Sequence, residues 1–323
     1  MSGDSSIEHH RPVLRDEVVA ALCTVPDGAY VDATFGRGGH ARALLAALAP
    51  DARLLVIDRD PRAVAAARAL AAVDARVRVA HGRFSAIERL VAESGLREPL
   101  ERNALEHSGI AGVLIDLGVS SPQLDDPTRG FSFREDGPLD MRMDPDSGES
   151  AAEWLAKVDE AELARVLETY GEERFARRIA RAIVARRRTH PITRTLELAE
   201  IVDQSQPRPD AHKHAATRTF QAIRIHVNDE LTELPLALEG AFAVLSIGGR
   251  LAVIAFHSLE DRIVKRTFAL WTRGPETPRR MPIKGVRATR ARPIGKAVRA
   301  SGAEVRANPR ARSATLRVVE KVA

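Results

Sequence analysis

AYVDATFGRGGHARALLAAL, residues 29–48, is the stretch that decides the fold. AYVDATF (29–35) is an apolar run of strand character, GRGG (36–39) is a glycine loop, and the apolar residues that follow recur at helical spacing. Gly36, Gly38 and Gly39 let the backbone approach a ligand closely, and the amides that open the helix attract a carboxylate or phosphate. The next strand, RLLVID (53–58), ends in Asp58, 22 residues after Gly36, at the spacing where an acid meets ribose hydroxyls. With Ala41 in the third small position, Gly36, Gly38 and Ala41 also fit the dinucleotide fingerprint, so a nicotinamide cofactor competes here. Asp32 disfavours it: an acid at the end of the first strand repels a pyrophosphate and attracts the amino group of a methionine moiety.

Outward from this unit, strands near 29–34, 53–58, 76–80 and 110–116 alternate with helices near 38–49, 61–72 and 85–94, which implies parallel strands with right-handed crossovers. The pattern then pauses. Residues 125–150 read as a loop rich in Gly, Pro and Asp, 151–203 as helices, and QPRPDAHKHA (206–215) as a break. A long helix (217–245) and the apolar strand LAVIAF (251–256) resume it. The expected fold is α/β, a Rossmann-like, doubly wound sheet with an inserted all-helical domain. Its boundaries fall at 1–130 with 216–323 for the sheet domain and 131–215 for the insertion, and the site is expected between the two.

The fourth strand closes on DLGVSSPQL (116–124). Enzymes that methylate exocyclic amines of bases carry an acid or amide, paired small residues and a proline at this place. Such an amine is a poor nucleophile, because its lone pair is delocalised into the ring. It must be held in line with an already activated methyl group, which leaves positioning and electrostatics to the protein. A backbone carbonyl in the Ser120-Ser121-Pro122 turn can accept a hydrogen bond from the amine, with the proline holding the turn rigid. An ordinary loop ending a buried strand has the same composition.

Of 323 residues 44% are hydrophobic, enough for two cores, and no apolar run reaches membrane-spanning length, so a soluble protein is expected. The N-terminus lacks a basic start followed by an apolar segment, and Cys23 is the single cysteine, which makes the cytoplasm the default compartment and Cys23 a small apolar residue. His9, His10, His212 and His214 lack the partners that metal-ligand spacing requires. Between Arg273 and Ala323 lie 14 of the 49 basic residues and 3 of the 44 acids, a net of +11 against −6 for the first 272 residues. EERFARRIARAIVARRR (172–188) forms a second basic element, with Arg174, Arg178, Arg181 and Arg188 on one helical face and Phe175, Ile179 and Ile183 opposite. A solvated helix face explains one such element. Two, joined to a nucleoside-type cofactor site, favour nucleic acid. Aromatic residues at 4% argue against a stacking platform for long single strands.

VDATFGRGGH, IDRDP, HGRFS, DLGVSSPQLDDPTRGFSFREDGPLDMRMD, YGEERFARRIARAI, TRTFQAIRI, GGRLAVIAFHSLEDRIVK and NPRARSATLR together resemble the RsmH (MraW) family, which methylates the exocyclic amine of a cytidine in the decoding region of bacterial small-subunit rRNA. The resemblance spans roughly residues 8–321. It implies a class I methyltransferase that uses S-adenosylmethionine and acts on rRNA of the small subunit, free or in the assembled particle. By motif, Gly38, Gly39 and His40 would hold the methionine end of the cofactor, Asp58 the ribose and Phe84 the adenine. Asp116 and Gln123 would complete the pocket near the methyl group. Asp140, Arg142 and Asp144 read either as a charge network or as a gate, and His257 and Ser258 either face the base or cap a helix. Two departures stand out: REPLERNALEHSG (97–109) is longer than the family's usual connection, and Ala215 replaces a proline. A nicotinamide oxidoreductase, a non-catalytic RNA-binding protein and a DNA amine methyltransferase are the alternatives.

Overall fold

The computed structural model describes residues 12–96, 109–206, 214–273 and 289–323. The chain divides into two compact units: Met1–Gly118 with Glu233–Ala323, and Val119–Thr232.

The first unit is built on an eight-stranded sheet. Strands β1 (Ala29–Asp32), β2 (Arg53–Asp58), β3 (Val77–His81), β4 (Ile110–Asp116) and β5 (Leu245–Ala255) alternate with α1 (Arg15–Leu22), α2 (Gly39–Ala47), α3 (Pro61–Ala71), α4 (Ile87–Glu93), α11 (Glu230–Val244) and α12 (Ser258–Arg273). The chain closes on β6 (Ala291–Pro293), β7 (Val298–Arg299), α13 (Gly302–Ala307) and β8 (Thr315–Lys321). Strand order is β3-β2-β1-β4-β5-β8-β6, with β7 also paired to β8; β1 to β5 are parallel and β8 runs antiparallel to β5.

Every residue of β1 is buried, and so are the first six of β4, because helices cover both faces of a parallel sheet and leave no room for alternation. On one face Val31, Leu55, Val113 and Val253 pack with α4, α11 and α12. On the other, Tyr30, Leu54, Leu114 and Ile254 pack with α1, α2 and α3. Asp32 pairs in register with Val56 and Leu114, and Asp116 with Ile254, so the ends of β1, β4 and β5 lie level. Chain order reverses between β1 and β4, and this switch point is where open α/β sheets bind ligands.

The second unit holds α5 (Ser121–Asp125), α6 (Ala151–Lys157), α7 (Glu160–Gly171), α8 (Ala176–Arg187), α9 (Thr195–Ser205) and α10 (Ala216–Val227) around an apolar core that includes Trp154, Leu163, Ile179, Leu198 and Phe220. It extends past the expected boundaries at 131 and 215 because α10 packs on α7, where Gly171 leaves room for the Arg218 carbonyl. The long helix expected over 217–245 is broken into α10 and α11. Asn228 turns its side chain onto the Met141 carbonyl and the Met143 amide, each at 2.7 Å, and Asp229 takes φ 55°.

Residues 125–150 are a tightly folded platform and not a loose loop. Arg129 is buried and donates to the carbonyls of Arg142 and Met143, and a Cβ at Gly130 or Gly137 would collide with backbone at Pro138 or Pro127. Asp140 holds the Arg142 guanidinium at 2.8 and 2.7 Å, so these two side chains brace the platform.

Candidate cofactor site

The site grows from the end of β1. Gly36 and Gly38 have φ of 55° and 74°, and a Cβ on Gly38 would lie 2.5 Å from the Phe35 ring. Only glycine fits there. No side chain caps α2, so its first amides, beginning at Gly39 and His40, point at whatever ligand occupies the loop. Asp58 fixes the loop from below, accepting from the Gly36 amide at 2.7 Å and from the Asp60 amide at 2.8 Å. The Arg59 backbone adds a third bond, and the carboxylate's lone pairs still leave room for a further donor. Phe84 follows β3 in a short 3-10 turn and packs, half-buried, against the sheet's core. The preceding Gly82 amide donates to the Asp58 carbonyl, which ties that turn to the end of β2.

Acids collect at the switch point. Asp32 is 1% exposed; one oxygen accepts from the Thr34 amide at 3.2 Å and the other has no partner. Burial pushes its carboxyl up to about 7, opposed by the Thr34 amide and reinforced by the charge of Asp58. Asp116 is also held well above the ordinary carboxylate range, by burial and then by Asp32 and Glu260. One of its oxygens is unpartnered, and the other lies 3.5 Å from Nε2 of His40. Burial lowers His40 to about 4, so its imidazole is neutral near pH 7 and cannot neutralise either acid.

Unpaired buried acids are costly, and a cation seated between them removes that cost. An uncapped helix start next to them offers the opposite polarity. Together the two accept an amino-acid zwitterion, and a pyrophosphate on the same loop would face Asp32. The methionine portion of S-adenosylmethionine fits these donors and acceptors.

Residues 7–322 match the profile of the MraW methylase family. The chain belongs to that family. It is 53% identical over 316 residues, covering 97% of this chain and 98% of the relative, to the ribosomal RNA small subunit methyltransferase H of Thioalkalivibrio sulfidiphilus. Among solved structures, an rRNA methylase from Streptococcus thermophilus has 11% identity and a TM-score of 0.42, covering 96% of this chain and 94% of that one. NSun6 from Pyrococcus horikoshii, solved with SFG, has 10% identity and a TM-score of 0.42, covering all of this chain and 57% of that one.

The remaining motif residues of this MraW-family chain have defined places. Ser120 caps α5 in a capping box with Gln123, whose Oε1 accepts from the Ser120 amide at 2.9 Å; Pro122 sits in the first turn. The Ser120 carbonyl accepts the amides of Gln123 and Leu124 and is filled, whereas the Pro122 carbonyl accepts the Asp126 amide and retains one lone pair. Of the basic face read at 172–188, Arg178 and Arg181 lie exposed on α8, whereas Arg174 precedes the helix and Arg188 only caps its end. Glu160 lies 3.6 Å from Arg181. His257 caps α12: its Nδ1 accepts from the Glu260 amide at 3.4 Å, while Glu260 accepts from the amides of Phe256 and His257. Cys23 packs against the core, and burial pushes its thiol up to about 11, against a nucleophilic role. Residues 97–108, His9, His10 and His212 lie outside the described residues.

Sequence reasoning missed Glu260. It is 1% exposed and adds to the negative field on Asp116; its signal was the H-x-x-E spacing at a helix start, which marks a cap.

Replacing Asp58 by Ala should weaken cofactor binding by about 1–3 kcal/mol, since a ribose acceptor and the anchor of the Gly36 amide are lost together. Calorimetry giving equal affinity in mutant and wild type would remove Asp58 from the site.

The site also predicts a pH dependence. Asp32 holds its proton more tightly folded than unfolded, so the stability this proton contributes is full below the ordinary carboxylate pKa and is lost as pH rises through about 7. A cationic ligand favours the ionised acid, so its affinity rises over the same interval. The thermal shift produced by S-adenosylhomocysteine should therefore grow between about pH 6 and about pH 8. A shift independent of pH would mean that no ligand cation meets Asp32.

Proposed function

We propose that this chain transfers a methyl group from S-adenosylmethionine to the exocyclic amine of a cytidine in the decoding region of small-subunit rRNA, acting in the cytoplasm on the rRNA or the assembled particle. The observation that carries the reading is the buried pair Asp32 and Asp116, each with an unpartnered oxygen, beside the uncapped start of α2. The family relationship supplies the substrate class.

When bound, the sulfonium supplies a methyl group already activated for transfer. The chain's own residues bind and orient. Asp32 takes the ammonium, and the amides at Gly38, Gly39 and His40 take the carboxylate. Asp58 takes the ribose hydroxyls, Phe84 covers the adenine, and Asp116 and Gln123 border the methyl end. The Ser121-Pro122 turn orients the amine with a backbone carbonyl. No strong base is needed, because an amine that has gained a methyl group becomes very acidic and loses its proton to water. Arg178 and Arg181 are offered to RNA phosphates.

The test supplies purified protein with labelled S-adenosylmethionine and, separately, naked small-subunit rRNA, small subunits and DNA of the same sequence. Label should enter RNA or subunits and not DNA. Label in DNA alone, or a thermal shift with NAD and none with S-adenosylhomocysteine, would overturn the reading.

A further inference from the structure

The described part of the chain's basic end, residues 289–323, is folded into the sheet, and part of it reaches the ligand edge. Thr315, at the start of β8, pairs with Ala255 at the end of β5 and with Arg299 on β7. Ala255 follows Ile254, the register partner of Asp116, so Arg299 lies level with the end of β4, three strands further along in the order β4-β5-β8-β7. A second tie is independent of the sheet: the Leu14 amide donates to Glu304 Oε1 on α13 at 2.7 Å. Ala311 and Ala314 are buried in the same core as Phe35 and Ala41. Residues 296–314 are therefore a packed part of the cofactor-bearing unit.

Lys296, Arg299, Arg306 and Arg312 stand exposed on this segment, and none has an acidic partner among the described residues. Their neighbours differ. Arg292 is paired with Glu320 and Arg317 with Asp261, while the segment's one acid, Glu304, accepts the Leu14 amide. Helix α8 is mixed: Arg181 lies near Glu160, Arg186 pairs with Glu197 and Arg187 donates to the Leu155 carbonyl, while Arg178 is exposed. Four exposed cations on one packed segment, with Arg299 level with the end of β4, suit a polyanion running past that edge.

We propose that Lys296, Arg299, Arg306 and Arg312 form a phosphate-binding surface that grips the RNA backbone flanking the target nucleotide. The inference rests on the RNA methyltransferase reading above and adds a grip on the sheet unit to the one expected on α8.

The test measures binding of a fluorescein-labelled rRNA fragment containing the decoding region across a potassium chloride series, for the full chain and for the variant K296Q/R299Q/R306Q/R312Q. Each lost phosphate contact on single-stranded RNA flattens the plot of log affinity against log salt by about 0.7, so the variant should lose about 2–3 from the slope and more than about tenfold in affinity. Its S-adenosylhomocysteine affinity by calorimetry should stay within about twofold of wild type, because these exposed side chains are not among the partners of Asp32, Asp58 or Asp116. An unchanged slope and affinity would overturn the surface even if wild type methylates RNA normally. Wild type that binds with a steep slope the variant lacks, yet transfers no methyl group to RNA, would sink the functional reading and leave the surface standing. Should the fourfold variant lose S-adenosylhomocysteine binding, Arg306→Gln and Arg312→Gln singly decide: each should flatten the slope by about 0.7, and two unchanged slopes refute the surface.

Discussion

Replacing Gly38 by Ala is expected to weaken S-adenosylmethionine binding on the order of hundredfold while leaving the fold in place. A left-handed backbone costs an L-residue about 1–2 kcal/mol. The added methyl would stand 2.5 Å from the Phe35 ring, which is 3% exposed and can move only by disturbing the core of α2. Overpacking of that kind costs about 1–3 kcal/mol. The loop can relieve both only by shifting, and the shift moves the amides that open α2. Circular dichroism should remain native and calorimetry should report the loss. Wild-type affinity in Gly38→Ala would mean that the α2 start does not hold the cofactor.

Pro122→Gly should separate transfer from binding. Pro122 lies in the first turn of α5, where its fixed φ costs nothing and restricts the Ser120–Gln123 cap. The Ser120 carbonyl is filled by two helix amides and the Pro122 carbonyl accepts one, so of these two only the Pro122 oxygen keeps a lone pair for an amine, at a position the helix fixes. Glycine loosens that position, and a misplacement of about 1 Å costs on the order of hundredfold in rate. Cofactor affinity should change by less than about twofold, because every contact assigned to the methionine and ribose ends lies elsewhere in the chain. Single-turnover transfer at the wild-type rate would remove this turn from the chemistry.

The parallel half of the sheet was legible because its strands are continuous apolar runs separated by helices with clear period, and the glycine loop announced its own backbone conformation. Asp32 could be singled out since an acid closing an otherwise buried strand is anomalous. The antiparallel strand β8, with β6 and β7, escaped. Its pairing with β5 joins residues as far apart as Arg250 and Glu320, and no local turn marks it. The break between α10 and α11 also escaped, because Asn228 and Asp229 are tolerated within helices and the reason for the turn is the distant Met141 carbonyl. Arg174 was assigned to a helix it only precedes. Glu173 is 5% exposed and accepts from the Phe175 amide at 3.0 Å, a local bond that delays the helix start by two residues. Site roles that depend on unpartnered oxygens, such as those of Asp32 and Asp116, need coordinates, since burial and missing partners leave no mark on residue order.

The atom that receives the methyl group decides between a positioned amine and other chemistries. Small-subunit rRNA treated with the protein and labelled S-adenosylmethionine would be digested to nucleosides and resolved by chromatography with mass spectrometry. A positioned amine and no covalent nucleophile predict label in a cytidine methylated on its exocyclic nitrogen. Label in a cytidine methylated on ring carbon, or in adenosine, would contradict the account.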